Sequence, residues 1–293
     1  MVADMAVKGN KGKGSDDIYE VPNPIRSTGN EAVYFTVPSS IILDSEADAS
    51  RLSALSFFSI RRDMEGMVTF TLNGMAKWLG RKPDRHAGGT NDKLSKCISY
   101  LSDNDIITTF GKIGNASEAD AKFNLDQVSE KCGKDLFAVI YLDELKKILS
   151  HDVKSADSTL LVFAWLRMRI ARRRNKLFPE EDLYDTYEKN IDARMTKTPE
   201  AYDCYYYEIA EDLGISTRTV SKAVDILSEL NLIYYEQLPK TSRDGKWSTS
   251  RTLFCNVYKR ENGSFLAGGE DYYMREIKNK KKKIRSYFDS LKK

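Results

Sequence analysis

Apolar residues recur at spacings that change along the chain, and these changes mark the predicted elements. Residues 34–37 and 67–70 are short runs of aromatic and β-branched residues, which favour strands. The stretch between them repeats its apolar residues mainly every three positions, close to the period of a helix. This helix is predicted over 51–62, and its apolar positions are Leu52, Leu55, Phe58 and Ile60.

The elements that follow have the order helix, turn, helix, strand, loop and strand. Residues 72–79 and 91–102 each carry an apolar face at helical spacing, and the turn between them is rich in glycine, proline and basic residues. Thr90 is the expected N-cap of the second helix. The remaining elements are a strand at 106–110, a polar loop at 111–135 and a returning strand at 136–142. This order is typical of a winged helix-turn-helix.

The same order is predicted again in the other half of the chain. It begins with a strong helix at 158–176 and an acidic, irregular insertion at 177–198. The next helix is expected to start with Thr198 as N-cap and Pro199 at its first position. Its inner side is predicted to carry Tyr202, Tyr206, Ile209, Ala210 and Leu213. The final elements are a helix at 217–230 and a hairpin of strands at 232–236 and 251–258.

Two copies of one supersecondary order indicate two domains. The predicted fold class is mainly α with small β-hairpin wings (α+β), built from two tandem winged helix-turn-helix domains. Four segments are predicted: a flexible basic N-terminal arm at 1–32, a first winged-helix domain at 33–150, a second at 151–262, and a linker with a basic C-terminal helix at 263–293.

Residues 206–235 hold the most specific pattern in the chain. Small Ala210 lets two helices approach closely, Gly214 tolerates the positive φ that reverses the chain, and Ser216 can cap the second helix. This pattern closely resembles the winged helix-turn-helix of the large bacterial regulator and initiator superfamily. The matching parts are the first helix and turn at 209–216, the helix start at 217–222 and the exit into the wing at 227–233.

The resemblance implies that the second helix of this motif is a recognition helix, which enters the major groove of DNA. Its outward positions are polar or basic, and none is acidic: Ser216, Thr217, Arg218, Thr219, Ser221 and Lys222. Arg218 is the candidate for pairing with guanine. Lys222 is assigned to phosphate contact, which positions the protein on DNA but does not distinguish between base sequences. The wing candidates for phosphate or minor-groove contact are Lys240, Arg243 and Lys246, with a solvated loop as the alternative.

The first unit matches this pattern less well because its turn is longer. By position, the candidates for contact with DNA bases are Thr90, Asn91, Lys93 and Lys96. The candidates for contact with the DNA backbone are Arg81, Lys82 and Arg85. The alternative is a winged helix that serves dimerisation, and Asp92 among the contact candidates favours it.

Basic residues also cluster outside the two motifs. Arg172, Arg173 and Arg174 belong to an arginine cluster at 167–174, which is either a clamp on the DNA backbone or a partner surface for the acidic segment at 180–188. The lysine run at 280–283 is either a solvated helix face or a source of non-specific, salt-sensitive DNA affinity.

Residue types for catalysis or metal binding are sparse. The two histidines, His86 and His151, belong to no ligand cluster, and the four cysteines are far apart. No glycine-rich phosphate loop ending in lysine and serine or threonine occurs. We therefore expect no enzyme activity, no metal and no cofactor.

Composition places the chain among globular proteins. Hydrophobic residues make up 41% and charged residues 30%, and the net charge of +3 says little about partners. No apolar run approaches the roughly 20 residues of a membrane-spanning helix, and the N-terminal residues do not resemble a signal peptide. The expectation is a cytoplasmic protein with no membrane partner.

Two winged helices in one chain with basic ends resemble plasmid, phage or mobile-element replication initiators. That resemblance implies sequence-specific binding of double-stranded DNA at origin repeats and recruitment of replication proteins. Both recognition helices are expected to enter major grooves about one helical turn apart. Two alternatives stay open: a transcriptional regulator that acts as a homodimer, and a non-enzymatic adaptor that uses its winged helices to hold protein partners.

Overall fold

A computed structural model describes residues 33–134, 136–175, 201–237, 251–259 and 265–267. Within these residues the chain combines helices with small antiparallel sheets in an α+β arrangement. The elements of the first half are β1 (Tyr34–Pro38), α1 (Ser39–Ile42), α2 (Arg51–Arg61), β2 (Met67–Phe70), α3 (Leu72–Trp78), α4 (Thr90–Asp103), β3 (Ile107–Phe110), β4 (Ala119–Phe123), α5 (Leu125–Lys134), β5 (Phe137–Tyr141) and α6 (Leu142–His151). Those of the second half are α7 (Ala156–Asn175), β6 (Ala201–Cys204), α8 (Tyr206–Leu213), α9 (Thr217–Glu229), β7 (Ile233–Gln237), β8 (Thr252–Lys259) and β9 (Phe265–Ala267).

One order of elements occurs twice along the chain. In the first half it is α2, β2, α3, α4, β3 and β4, and in the second half it is α7, β6, α8, α9, β7 and β8. In both halves the last strand lies between the other two, so the sheet orders are β2-β4-β3 and β6-β8-β7. The two halves therefore share one topology.

The polar stretch at 111–135 was predicted to be a loop, and this prediction is wrong, because the stretch contains β4 and α5. β4 alternates buried and exposed positions, with Ala119, Ala121 and Phe123 turned inward. Alanine has little preference for strands, so the local sequence does not predict β4. The strand predicted at 136–142 exists as β5, but it pairs with β1 and not with the first three-stranded sheet.

Two predicted helix starts are also wrong. Residues 201–204 form the strand β6, and α8 begins only at Tyr206, so a helix from Thr198 onward is not present in the described part of that segment. Four residues are too few for the alternation of apolar and polar positions in a strand to be distinguished from the spacing of a helix. In the first half, Gly89 is the N-cap of α4 and Thr90 is its first helical residue.

Several predicted features lie outside the described residues. They are the arm at 1–32, the acidic insertion at 177–198 together with its flanks, the hairpin tip at 238–250, and most of the segment at 263–293 that is predicted to hold a linker and a basic helix. The linker expected at the start of the 263–293 segment is wrong in part, because residues 265–267 form the strand β9, which pairs with β8.

α7 is the central helix of the hydrophobic core. All residues from Leu160 to Leu166 are buried, so this part of the helix has no solvent-facing stripe. Elements of both halves cover it: α2, β5 and α6 from the first, and β6, α8 and α9 from the second. Because a helix that is apolar all round must be enclosed, the two halves share one core.

The core also encloses arginines that the sequence places in the basic cluster at 167–174. Arg167 donates to Glu144 of α6, and both side chains are almost fully buried. Burial raises the pKa of Glu144, although the positive charge of Arg167 opposes this. Arg169 donates to Asp212 of α8 at 2.7 Å. Neither arginine is thus available to a clamp on DNA or to a partner surface.

The turn between α8 and α9 allows a test of how closely the two halves approach. Gly214 has φ +63, and a β-carbon there would lie 2.6 Å from the carbonyl oxygen of Ser45. Gly80 has φ +70 with open space around it, so Gly80→Ala is a matched control for backbone strain alone. We expect Gly80→Ala to lower the free energy of unfolding by about 1–2 kcal/mol. Gly214→Ala should lower the free energy of unfolding by more than Gly80→Ala does, because the turn must also move away from Ser45.

Urea unfolding of the two variants beside the wild type provides the comparison. Equal losses of unfolding free energy would contradict the close contact between Gly214 and Ser45.

Candidate nucleic-acid interface

The turn that leads into α9 has the geometry predicted for it. Gly214 adopts the left-handed conformation at the end of α8, and the amide of Ile215 donates to the carbonyl of Ala210 at 3.0 Å. Ser216 is the N-cap of α9, and its Oγ accepts from the amide of Thr219 at 3.1 Å. The predictions of a glycine turn and a serine cap are therefore confirmed.

α9 is clearly two-sided. Val220, Ala223, Val224 and Leu227 are buried against the core. The opposite side of the first two turns is polar: Ser216, Thr217, Arg218 and Lys222 are exposed, and Thr219 and Ser221 are half-buried. The first turn holds no acidic residue. Arg218 is exposed, and it forms no ion pair with another residue that the structure describes.

Lys222 is exposed but has a partner inside the molecule. Its Nζ lies 2.8 Å from Oδ2 of Asp152, in the segment that joins α6 to α7. Hydrogen bonds from Lys222, Ser155 and the backbone of Lys154 hold the pKa of Asp152 well below its usual range. Asp152 therefore carries a negative charge beside the candidate recognition helix at any pH near neutrality.

A polar cluster fixes the position of α8, the helix before the turn. Asp212 accepts from Nε1 of Trp165 at 2.8 Å and from Arg169 at 2.7 Å. The guanidinium of Arg169 also lies over the Trp165 ring, 5.1 Å from its centroid. Sequence reasoning missed this contribution of Asp212, because its partners on α7 are more than 40 residues away in the chain.

The first half presents a different surface at the corresponding place. Lys82, Arg85, Lys93 and Lys96 are exposed, as expected of phosphate contacts, and Thr90 is half-buried. Lys96 forms an ion pair with Asp92 at 2.9 Å. These four cations leave a basic surface on the turn and on one side of α4.

Two of the candidates in the first half are wrong, because they are buried. The side chain of Arg81 is 8% exposed and donates to Asp157 of α7 and to Ser53. Asn91 is 2% exposed, and its Nδ2 donates to Asn73 at 2.9 Å and to Asn115 at 2.6 Å. Both side chains hold parts of the protein together and cannot reach DNA.

The tip of the β3–β4 hairpin explains why Asn91 is buried. The carbonyls of Gly114 and Asn115 accept from the amides of Leu72 and Asn73, at 3.1 and 3.0 Å. These bonds hold the tip over the start of α3, where Asn115 also meets the first turn of α4. The N-terminal turn of α4 is thus partly covered by the protein's own hairpin.

The apolar stripes of α4 and α9 give a register for comparing the two helices. The stripe Leu94, Cys97, Ile98 and Leu101 has the same spacing as Val220, Ala223, Val224 and Leu227. Asp92 lies two residues before Leu94, just as Arg218 lies two residues before Val220. The position of the candidate base-reading arginine in α9 is therefore acidic in α4.

The remaining candidates cannot be placed in this way. Arg172, Arg173 and Arg174 belong to the last turns of α7, where only the backbone is described. The wing candidates Lys240, Arg243 and Lys246 lie outside the described residues.

No group of residues suited to holding a metal ion occurs within the described ranges. Burial raises the pKa of Cys97 to about 11 and also raises that of Cys204, so both thiols are poor nucleophiles and ligands. Of the helices that the structure describes, none has both the length and the apolar character needed to span a bilayer. The chain matches no protein-family model and no curated protein.

The cap of α9 can be tested by itself. Ser216→Ala removes the acceptor for the Thr219 amide and should lower the free energy of unfolding by about 1 kcal/mol. Ser221 lies in the next turn of the same helix and does not cap it. Ser221→Ala should therefore change the free energy of unfolding by less than about 0.5 kcal/mol. Chemical denaturation of both variants is the measurement, and an equally small change in the two would contradict the cap.

Proposed function

We propose that this protein is a tandem winged helix-turn-helix protein that binds double-stranded DNA in a sequence-specific manner, with α9 as the recognition helix. The observation that carries the proposal is the first part of α9, a capped helix end whose outer side is polar. This side has no acidic residue in its first turn and carries an exposed arginine that forms no ion pair with any residue in the described ranges. Such a surface suits the acceptor atoms and phosphates of the major groove.

The topology supports the winged-helix assignment. In each half a helix and a strand precede two consecutive helices, and a two-stranded hairpin follows. The strand before the helix pair is hydrogen-bonded to the second strand of the hairpin, and the first strand of the hairpin contacts the second helix of the pair. This is the arrangement in which a wing can flank a recognition helix on DNA.

The two halves have different tasks in this proposal. α9 reads base pairs through Arg218, whereas the first half contributes phosphate contacts through Lys82, Arg85, Lys93 and Lys96. Asp92 and the buried Asn91 argue against base reading by α4, because an acidic side chain at the groove is repelled by phosphates and a buried one cannot reach it. One recognition helix per chain replaces the two expected from the sequence.

The biological role that we propose is initiation of replication for a plasmid, phage or mobile element, in the cytoplasm and without a catalytic step of its own. The sharing of one core by two units supports it, since one rigid chain can then grip a longer DNA site than a single winged helix. Footprinting tests this role. Directly repeated sites within the element's own origin would agree with initiation, whereas an inverted repeat over a promoter would indicate a dimeric regulator.

Arg218→Ala tests the recognition helix. On a duplex selected from a random pool, the loss of Arg218 should weaken binding by about 1–3 kcal/mol and relax the sequence preference. Arg85→Ala, an exposed arginine of the first half, should weaken binding to selected and mixed-sequence duplexes alike and lower the salt slope by about 1. Titrations with both duplexes separate the two effects. Unchanged binding by Arg218→Ala would exclude α9 as the reading helix.

A further inference from the structure

Three contacts join the end of α6 to the solvent-facing side and the end of α9. Lys222 pairs with Asp152 at 2.8 Å, and Nε2 of His151 lies 3.4 Å from the carboxylate of Glu229. Nζ of Lys147 also donates to the carbonyl of Leu230 at 3.4 Å. The segment between the two halves thus lies directly beside the helix proposed to read DNA.

Asp152 is held in a fixed position on that segment. Its Oδ1 accepts from the amide of Lys154 at 3.1 Å, and its Oδ2 accepts from the hydroxyl of Ser155 at 2.7 Å. The backbone carbonyl of Ser155 accepts from the amide of Thr159 at 2.8 Å, in the first turn of α7, the helix at the centre of the core. The carboxylate therefore cannot follow Lys222 toward a ligand, whereas the flexible lysine, whose side chain is 58% exposed, can move.

Lys222 lies one helical turn after Arg218, so both side chains leave α9 on the same side. A phosphate that approaches Lys222 must compete with Asp152 for the ammonium group. We propose that Asp152 withholds Lys222 from the phosphates of mixed-sequence DNA and thereby increases the preference for the cognate site. This inference rests on the proposed function of α9.

The weakness of an exposed ion pair makes the exchange possible. Pairs of this kind contribute little to stability in water, so a phosphate held close to Lys222 can replace Asp152. Contacts of α9 to base edges hold the phosphates in that position on a cognate duplex, whereas on a mixed-sequence duplex nothing fixes the helix there. Non-specific affinity, which depends on the number of phosphates neutralised, is therefore reduced more than specific affinity.

The test uses the full chain and the salt dependence of its binding to a mixed-sequence duplex. Asp152→Asn keeps an oxygen acceptor for the Lys154 amide but removes the charge that holds Lys222. We expect the slope of log affinity against log salt to steepen by about 0.5–0.9, because one full phosphate contact contributes about 0.9 and Lys222 makes less than half of that contact in the wild type. Lys222→Ala should lower the slope by about 0.9 in the Asp152→Asn background and by less than half as much in the wild type.

Glu229→Gln is the matched control. It removes the same charge from the same contact region but leaves the Lys222–Asp152 pair intact, so its slope should stay at the wild-type value. The ratio of affinities for a selected and a mixed-sequence duplex should fall in Asp152→Asn and be retained in Glu229→Gln.

Two results would overturn the inference. One is an equal effect of Lys222→Ala on the slope in both backgrounds, and the other is an equal steepening by Asp152→Asn and Glu229→Gln. In either case duplex binding with a sequence preference that depends on Arg218 would leave the proposed function standing. A chain that binds no duplex at low salt would overturn both proposals.

Discussion

The burial of α7 on every side is the constraint on which the rest of the structure depends. Residues Leu160 to Leu166 include a phenylalanine and a tryptophan and have no polar stripe to expose, so neither half can cover the helix alone. Enclosure by elements from both halves fixes their relative positions. Through Trp165 and Arg169, which hold Asp212, the same helix also fixes α8 and hence the turn into α9.

Charge then distinguishes two units that share one topology. The polar side of the first turns of α9 carries the cations Arg218 and Lys222. In α4 the residue at the position of Arg218 is Asp92. The hairpin tip of the first half lies over the start of its own helices through Gly114 and Asn115. Similar backbones thus present different surfaces, and our proposal assigns the reading of base pairs to the second.

Sequence reasoning works where a local pattern determines the local structure. Gly214 and Ser216 act on neighbouring residues only, so the turn, the cap and the apolar stripe of α9 could be predicted. Sequence reasoning fails where residues that are distant in the chain determine the structure. The alanine-rich β4 is a strand because β2 and β3 flank it, and Arg81 is buried because Asp157, 76 residues away, accepts from it. The pairing of Lys222 with Asp152 is equally non-local.

Interference by base methylation tests the central claim, that the outer side of α9 lies in a major groove, most directly. The wild-type chain is bound to a selected duplex in which guanine N7, in the major groove, or adenine N3, in the minor groove, carries a methyl group. Methylation at N7 within one continuous stretch should block binding, because that atom is where Arg218 would donate. Binding that tolerates every N7 methyl group, or that is blocked only by methylation at N3, would contradict the claim.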